Sequence, residues 1–326
     1  MEIRFVSTAG ARPIRLDELE ALLAGPDGFC WVDVPSWTDD AEALLLRLGC
    51  HARLIEACRR RNYVPVVHTY PGQVFVTVHA PLLGGKGHVH LLELDLVVGE
   101  RVLVTVHGPI NPDLDLSVCL TETDAVRARL DAGRMSPDGP ADLAYAVTSA
   151  VARSQSALIH QIAERLPGLE KEVMTSRLRS PEELLERMFL IRHELMTGRT
   201  MAAQCHEVWA RIAGLGRFAR EGRLDQAADL ADQFARVRSL ADGETMFLVA
   251  VIELYQTKVH TKMTVAMERL AVIAAVTLPV TALASIYGMN VIVNDETHWR
   301  SLLVIVLVMI TMSGLLLRWA RRQGWW

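Results

Sequence analysis

The chain has 326 residues, with 34 Lys and Arg against 38 Asp and Glu, and a formal net charge of −4. No nucleic-acid partner is expected of it. Its mean hydropathy of +0.21 is high for a soluble protein, and the excess lies in two apolar runs near the C-terminus. The five cysteines (Cys30, Cys50, Cys58, Cys119 and Cys205) are odd in number and form no Cys-x-x-Cys pair, which argues against a disulfide framework or a zinc knuckle. Cys205-His206 reads as two ordinary helix positions, with no second soft-ligand pair beside it. No Walker motif, Gly-x-Ser-x-Gly or His-Glu-x-x-His occurs, so neither a nucleotide cofactor nor an enzyme activity is expected.

The chain opens on Met1-Glu2-Ile3-Arg4, a charged, strand-like start and not a secretory segment, so its N-terminal bulk is expected in the cytoplasm. Ile3–Ser7 and Phe29–Val34 read as strands. Leu16–Leu23 and Asp39–Leu48 read as helices, the second capped by Asp39 or Asp40 and stopped by Gly49. Gln73–Leu82, Val89–Val97 and Arg101–Val106 read as three strands of a meander. In the middle one, Leu92, Leu94 and Leu96 alternate with Glu93 and Asp95, the pattern of a half-buried strand. Gly84-Gly85-Lys86-Gly87 lacks the spacing of a phosphate loop and reads as a hairpin turn. His79, His88, His90 and His107 read as scattered strand histidines, with a regulatory zinc site as the alternative.

From about Asp113 the pattern turns helical. No proline occurs between Pro181 and Pro279, and the glycines at 214, 216 and 222 mark a turn between two long helices. From Glu244, residues Ile252, Tyr255, Val259, Met263, Ala266 and Leu270 recur at helical steps and run into the first apolar stretch, about Leu270 to Met289. A helix from Glu244 to Asn290 would be roughly 70 Å long at 1.5 Å per residue. The second apolar run covers about Leu302 to Leu317. Each run is close to the roughly 20 residues a helix needs to cross a membrane. Lys258, Lys262 and Arg269 precede the first, and Arg318, Arg321 and Arg322 follow the second. Basic residues favour the cytoplasmic side, which puts both termini there and the intervening loop outside.

Thr277-Leu278-Pro279-Val280-Thr281, then Ala284-Ser285-Ile286 and Gly288-Met289-Asn290, resemble the signature of the CorA magnesium/cobalt transporter family, to which the ZntB zinc transporters are a related branch. The resemblance implies an α+β chain: an N-terminal cytoplasmic α/β domain, long stalk helices, and two C-terminal transmembrane helices, assembled as a CorA-like funnel homopentamer in the inner membrane. The expected domains are 1–110 (cytoplasmic α/β), 111–243 (cytoplasmic helical), 244–290 (stalk and first span), 291–301 (external loop), 302–318 (second span) and 319–326 (basic, aromatic tail).

The resemblance also implies site residues. Gly288, Met289 and Asn290 would form the selectivity filter. Thr264, Met267, Leu270, Leu278, Thr281 and Ser285 would line the pore, and Asp229 and Glu253 would hold a regulatory Mg2+ between subunits. Mg2+ gives up water reluctantly, and amide carbonyls such as those of Asn290 can hydrogen-bond its hydration shell without stripping it. Asp295 and Glu296 either attract cations to the mouth or belong to a solvated loop. The hydroxyls of Thr277, Thr281 and Ser285 either bond back to their own helix or face a wet pore. The expected cargo is Mg2+, with Co2+ or Ni2+ further candidates. Zinc transport, with or without proton coupling, and a membrane-tethered sensor or scaffold are the rival readings.

Overall fold

A computed structural model describes residues 1–109, 114–175, 181–214, 223–288 and 299–324. They form two compact units, Met1–Ala250 and Val251–Trp326. The first is built on seven strands: β1 Glu2–Ser7, β2 Gly10–Pro13, β3 Phe29–Val34, β4 Val66–Tyr70, β5 Gln73–Leu83, β6 Val89–Val98 and β7 Val102–His107. They hydrogen-bond in the order β2-β1-β3-β7-β6-β5-β4. Only β3 and β7 run parallel. The meander read from the sequence is β5-β6-β7, and Gly85–Gly87 forms a single 3-10 turn inside its first hairpin.

Helices cover both faces of this sheet. On one face Cys30, Val32, Phe75, Val97, Val104 and Val106 pack with Leu44 and Leu45 of α2 (Asp39–Arg47) and with Leu54, Ile55 and Cys58 of α3 (Ala52–Arg59). On the other, Trp31, Val76, Val78, Leu94, Leu96 and Leu103 pack with α5 (Thr121–Asp131), α6 (Pro140–Ala163), α8 (Pro181–Ala213) and the start of α9 (Arg223–Gly288). The remaining helices are short: α1 Leu19–Ala24, α4 Leu116–Cys119 and α7 Leu166–Thr175. The cap of α2 is Thr38 rather than Asp39 or Asp40. Thr38 is extended, and its hydroxyl accepts from the Ala41 amide at 3.2 Å, while the two aspartates fill the first turn.

The two-sided cover corrects the half-buried reading of β6. Glu93 is 3% and Asp95 0% exposed, because α3 and the segment after it close over that face. Asn62 donates to Glu93 through its backbone amide and its side chain, each at 2.8 Å, and Thr77 Oγ1 donates to Asp95 Oδ1 at 2.6 Å. Burial, and then the neighbouring Glu93 charge, push the Asp95 carboxyl well above its ordinary range. Glu93 is also raised, by burial first. The folded pair therefore binds more protons than the unfolded chain above the ordinary carboxylate range. Its stabilisation is full at low pH and is lost as pH rises through the raised values. Asp95→Asn keeps an acceptor for Thr77 and removes the titrating proton. Its thermal midpoint should fall less than the parent's between about pH 5 and 8. Equal slopes in parallel melts would place the titration elsewhere.

Two of the strand histidines, His79 and His107, have hydrogen-bonding partners within the protein. His79 Nε2 lies 2.7 Å from the Asn62 carbonyl, and His107 Nε2 lies 3.0 Å from Asp33 Oδ1. Burial raises the Asp33 carboxyl, but His107, Thr105 and Arg127 outweigh it and hold Asp33 below its ordinary value. Among the described residues, no group of three or more His, Cys, Asp or Glu is placed to hold a metal ion.

The second unit is the rest of α9 and helix α10, Trp299–Arg322. Helix α9 starts at Arg223, so the stalk predicted from Glu244 continues a helix already formed, with Gly243 inside it. A helical glycine costs about 1 kcal/mol. Buried Leu230, Phe234, Val237, Ala241 and Leu248 on either side of Gly243 supply far more. Pro279 also lies within α9. It removes one helical hydrogen bond without ending the helix, as membrane-spanning helices tolerate.

Candidate ion pathway

Both apolar runs lie on α9 and α10. Their most apolar 18-residue windows have mean hydropathies of 1.9 and 2.2, and only 6% of each is buried. A core helix of a soluble protein would be covered by its own chain, and these are not. Leu270, Leu278 and Ile286 on α9, and Leu303, Leu307 and Ile310 on α10, are each 60–68% exposed. Such surface needs lipid or further copies of the chain to cover it.

Exposure along α9 divides the helix into two sides. Between residues 271 and 286, the residues that are not exposed are Val272, Val276, Pro279, Val280 and Leu283. At about 100° per residue they fall within an arc of about 100°. Thr264, Met267, Leu270, Leu278, Thr281 and Ser285 are all exposed. They fall within an arc of about 120° centred nearly opposite. The six predicted pore residues thus share one face that the single chain leaves open. Met267 and Leu278 are three turns apart and almost in line.

The hydroxyls of Thr277 and Thr281 bond back to their own helix. Thr281 Oγ1 donates to the Thr277 carbonyl and Thr277 Oγ1 to the Ile273 carbonyl, each at 2.8 Å. Each donor is occupied, while the oxygen keeps lone-pair capacity to accept from water. Gly288 is the last described residue of α9. Met289, Asn290, Asp295 and Glu296 lie outside the described residues.

Asp229 and Glu253 stand on α9 in different surroundings. Asp229 Oδ2 accepts from Tyr145 Oη and Gln233 Nε2, each at 2.6 Å. Those bonds, Tyr145 first, hold its carboxyl below the ordinary range. Both donors meet Oδ2, and no hydrogen bond among the described residues reaches Oδ1. Glu253 is exposed, and its backbone carbonyl accepts from Thr257 Oγ1. Nothing in the sequence signals the Tyr145 contact, because 84 residues separate the partners.

A model of the CorA-like Mg2+ transporter protein family matches residues 26–322. The chain belongs to this family. It is therefore a membrane protein of a divalent-metal transporter family and not an enzyme. The metal ion transporter candidate YfjQ of Bacillus subtilis is 26% identical over 90% of this chain and 89% of its own. The cobalt/magnesium transport protein CorA of Thermotoga maritima is 19% identical over all of this chain and 92% of its own. Among solved structures, the complete CorA magnesium transporter of Methanocaldococcus jannaschii superposes with a TM-score of 0.80 at 14% identity, covering 100% of this chain and 99% of that one. The ZntB cytoplasmic domain of Vibrio parahaemolyticus gives 0.62 at 10% identity, over 80% of this chain and 98% of that one. These likenesses establish the fold: an N-terminal α/β domain, a long helix and two C-terminal apolar helices.

Proposed function

We propose that this CorA-family chain is one subunit of a homopentameric channel in the inner membrane that conducts Mg2+, with Co2+ and Ni2+ as further candidate ions. Both termini are cytoplasmic in this reading, and the Gly288-Met289-Asn290 filter opens to the outside. The observation that carries it is the open face of α9. Thr264, Met267, Leu270, Leu278, Thr281 and Ser285 stand exposed in the single chain, nearly opposite the stripe covered between residues 271 and 286. Five copies meeting along that face would surround an axis with hydroxyl oxygens and apolar collars.

The membrane potential suffices as driving force. An elementary charge gains about 2.3 kcal/mol per 100 mV, so a divalent cation gains roughly 4.6. That supports accumulation on the order of a thousandfold. The purified chain in liposomes, with an inside-negative potential, should take up Mg2+ without ATP. Parallel assays with Zn2+, with and without a pH gradient, separate this reading from zinc transport. Absence of any divalent flux would leave only a membrane tether.

Feedback is assigned to Asp229 and Glu253, across the subunit interface of the pentamer. Asp229 Oδ1, which no hydrogen bond among the described residues reaches, and the exposed Glu253 carboxylate are hard oxygen donors suited to hydrated Mg2+. Bound Mg2+ would turn repulsion between facing carboxylates into a clamp that favours closure. Mg2+ should therefore protect the parent from protease, Asp229→Ala with Glu253→Ala should lose most of that protection, and uptake should become less sensitive to internal Mg2+. Undiminished protection would remove both residues from this role.

A further inference from the structure

A second surface of α9 is not used by the ion pathway. Thr261, Lys262, Val265, Ala266, Arg269, Leu270 and Ile273 line a groove of about 510 Å3. At about 100° per residue its centre lies roughly 150° from the centre of the open face, so only Leu270 stands at the border of both. If that face lines the pore, the groove looks outward.

The groove combines two chemistries in an ordered way. Lys262 and Arg269 are exposed, and no ion pair among the described residues involves either. The one carboxylate between Leu254 and Gly288 is Glu268, which does not line the groove. Val265 is 38% and Ile273 51% exposed. The two cations are seven residues apart, about 10 Å along the axis. A headgroup layer is about 5–8 Å deep on each side of the hydrocarbon, and long basic side chains can shift their charge along it. Arg269 immediately precedes the uncharged run, and Ile273 lies one turn inside it. If both helices cross the bilayer, Arg318, Arg321 and Arg322 of α10 return to the same leaflet and add positive charge there.

We propose that an anionic phospholipid occupies this groove, its phosphate held by Lys262 and Arg269 and an acyl chain lying along Val265, Ala266 and Ile273. Its outward placement rests on the pore-face reading. A zwitterionic lipid offers the same chain but places a cation beside the phosphate, so the paired basic residues select for net negative charge.

The test uses the full chain in bilayers of dioleoyl phosphatidylcholine. All five native cysteines are buried, so Val265→Cys provides a reactive site for a bimane label. A small fraction of the lipid is replaced by its dibrominated form, with either a phosphatidylglycerol or a phosphatidylcholine headgroup. Brominated phosphatidylglycerol should quench the label severalfold more than brominated phosphatidylcholine. Lys262→Gln with Arg269→Gln should abolish that preference, and Lys262→Arg with Arg269→Lys should retain it. Equal quenching by the two headgroups in the parent would overturn the proposal. So would a label shielded from both lipids, which would mean that a neighbouring copy fills the groove. Quenching reports lipid beside Val265 whether or not ions pass. Its failure is therefore distinct from failure of the flux assay.

Discussion

Asn290→Ala is expected to reduce Mg2+ uptake by at least an order of magnitude while leaving the oligomer intact. In the proposed pentamer five amides face the hydrated ion at one level. Each supplies an acceptor to the hydration shell, and a hydrogen bond of this kind contributes about 1 kcal/mol. Losing two of them already amounts to roughly tenfold or more, at about 1.4 kcal/mol per decade. An Ala side chain offers no acceptor, so the ion would have to enter with its first shell unsupported. Gly288, the last described residue of α9, precedes this point by two residues, and a glycine there lets the backbone turn without a Cβ in the way. Asn290→Gln lengthens the side chain but keeps the amide, and should retain more uptake than Ala. Parent-level flux through a pentameric Asn290→Ala protein, measured in liposomes, would remove the filter from this position.

Much of the architecture was legible because it rests on local signals. The unbroken helical step from Ile252 to Leu270, and the absence of proline between Pro181 and Pro279, announced α9. The two uncharged runs announced the spans, and the Gly-Met-Asn phrase announced the family. What escaped depends on contacts between distant segments. The alternation around Glu93 and Asp95 has the period of a half-exposed strand, and only the packing of α3 over that face reveals two buried carboxyls. Strands β2 and β4 are short and pair at the edges of the sheet, where pattern is weakest. The start of α9 was misplaced because Gly243 reads as a boundary, whereas the neighbouring buried side chains carry the helix through it. For the site, sequence motif could nominate the six α9 residues. It could not show that they share the side of the helix left open, nor that Tyr145 reaches Asp229.

The collars offer the second large effect. Met267 and Leu278 are 57% and 67% exposed in the single chain. They lie eleven residues apart, about 16 Å along the axis and close to the same azimuth. In the proposed pentamer each would form an apolar ring, and a narrow apolar ring excludes water and with it a hydrated cation. Thr281 follows Leu278 by less than a turn, so the polar segment begins just beyond the second ring. Leu278→Asn or Met267→Ser replaces an exposed apolar side chain and leaves no cavity in the protomer, so the fold should persist. Wetting of the constriction should then raise flux at high internal Mg2+, where the parent is expected to be closed. Leu278→Ile keeps the ring apolar and should stay closed, which separates polarity from a general disturbance of packing. If both polar variants conduct no more than the parent at high internal Mg2+, neither ring is the gate, and closure must be sought at another level of α9.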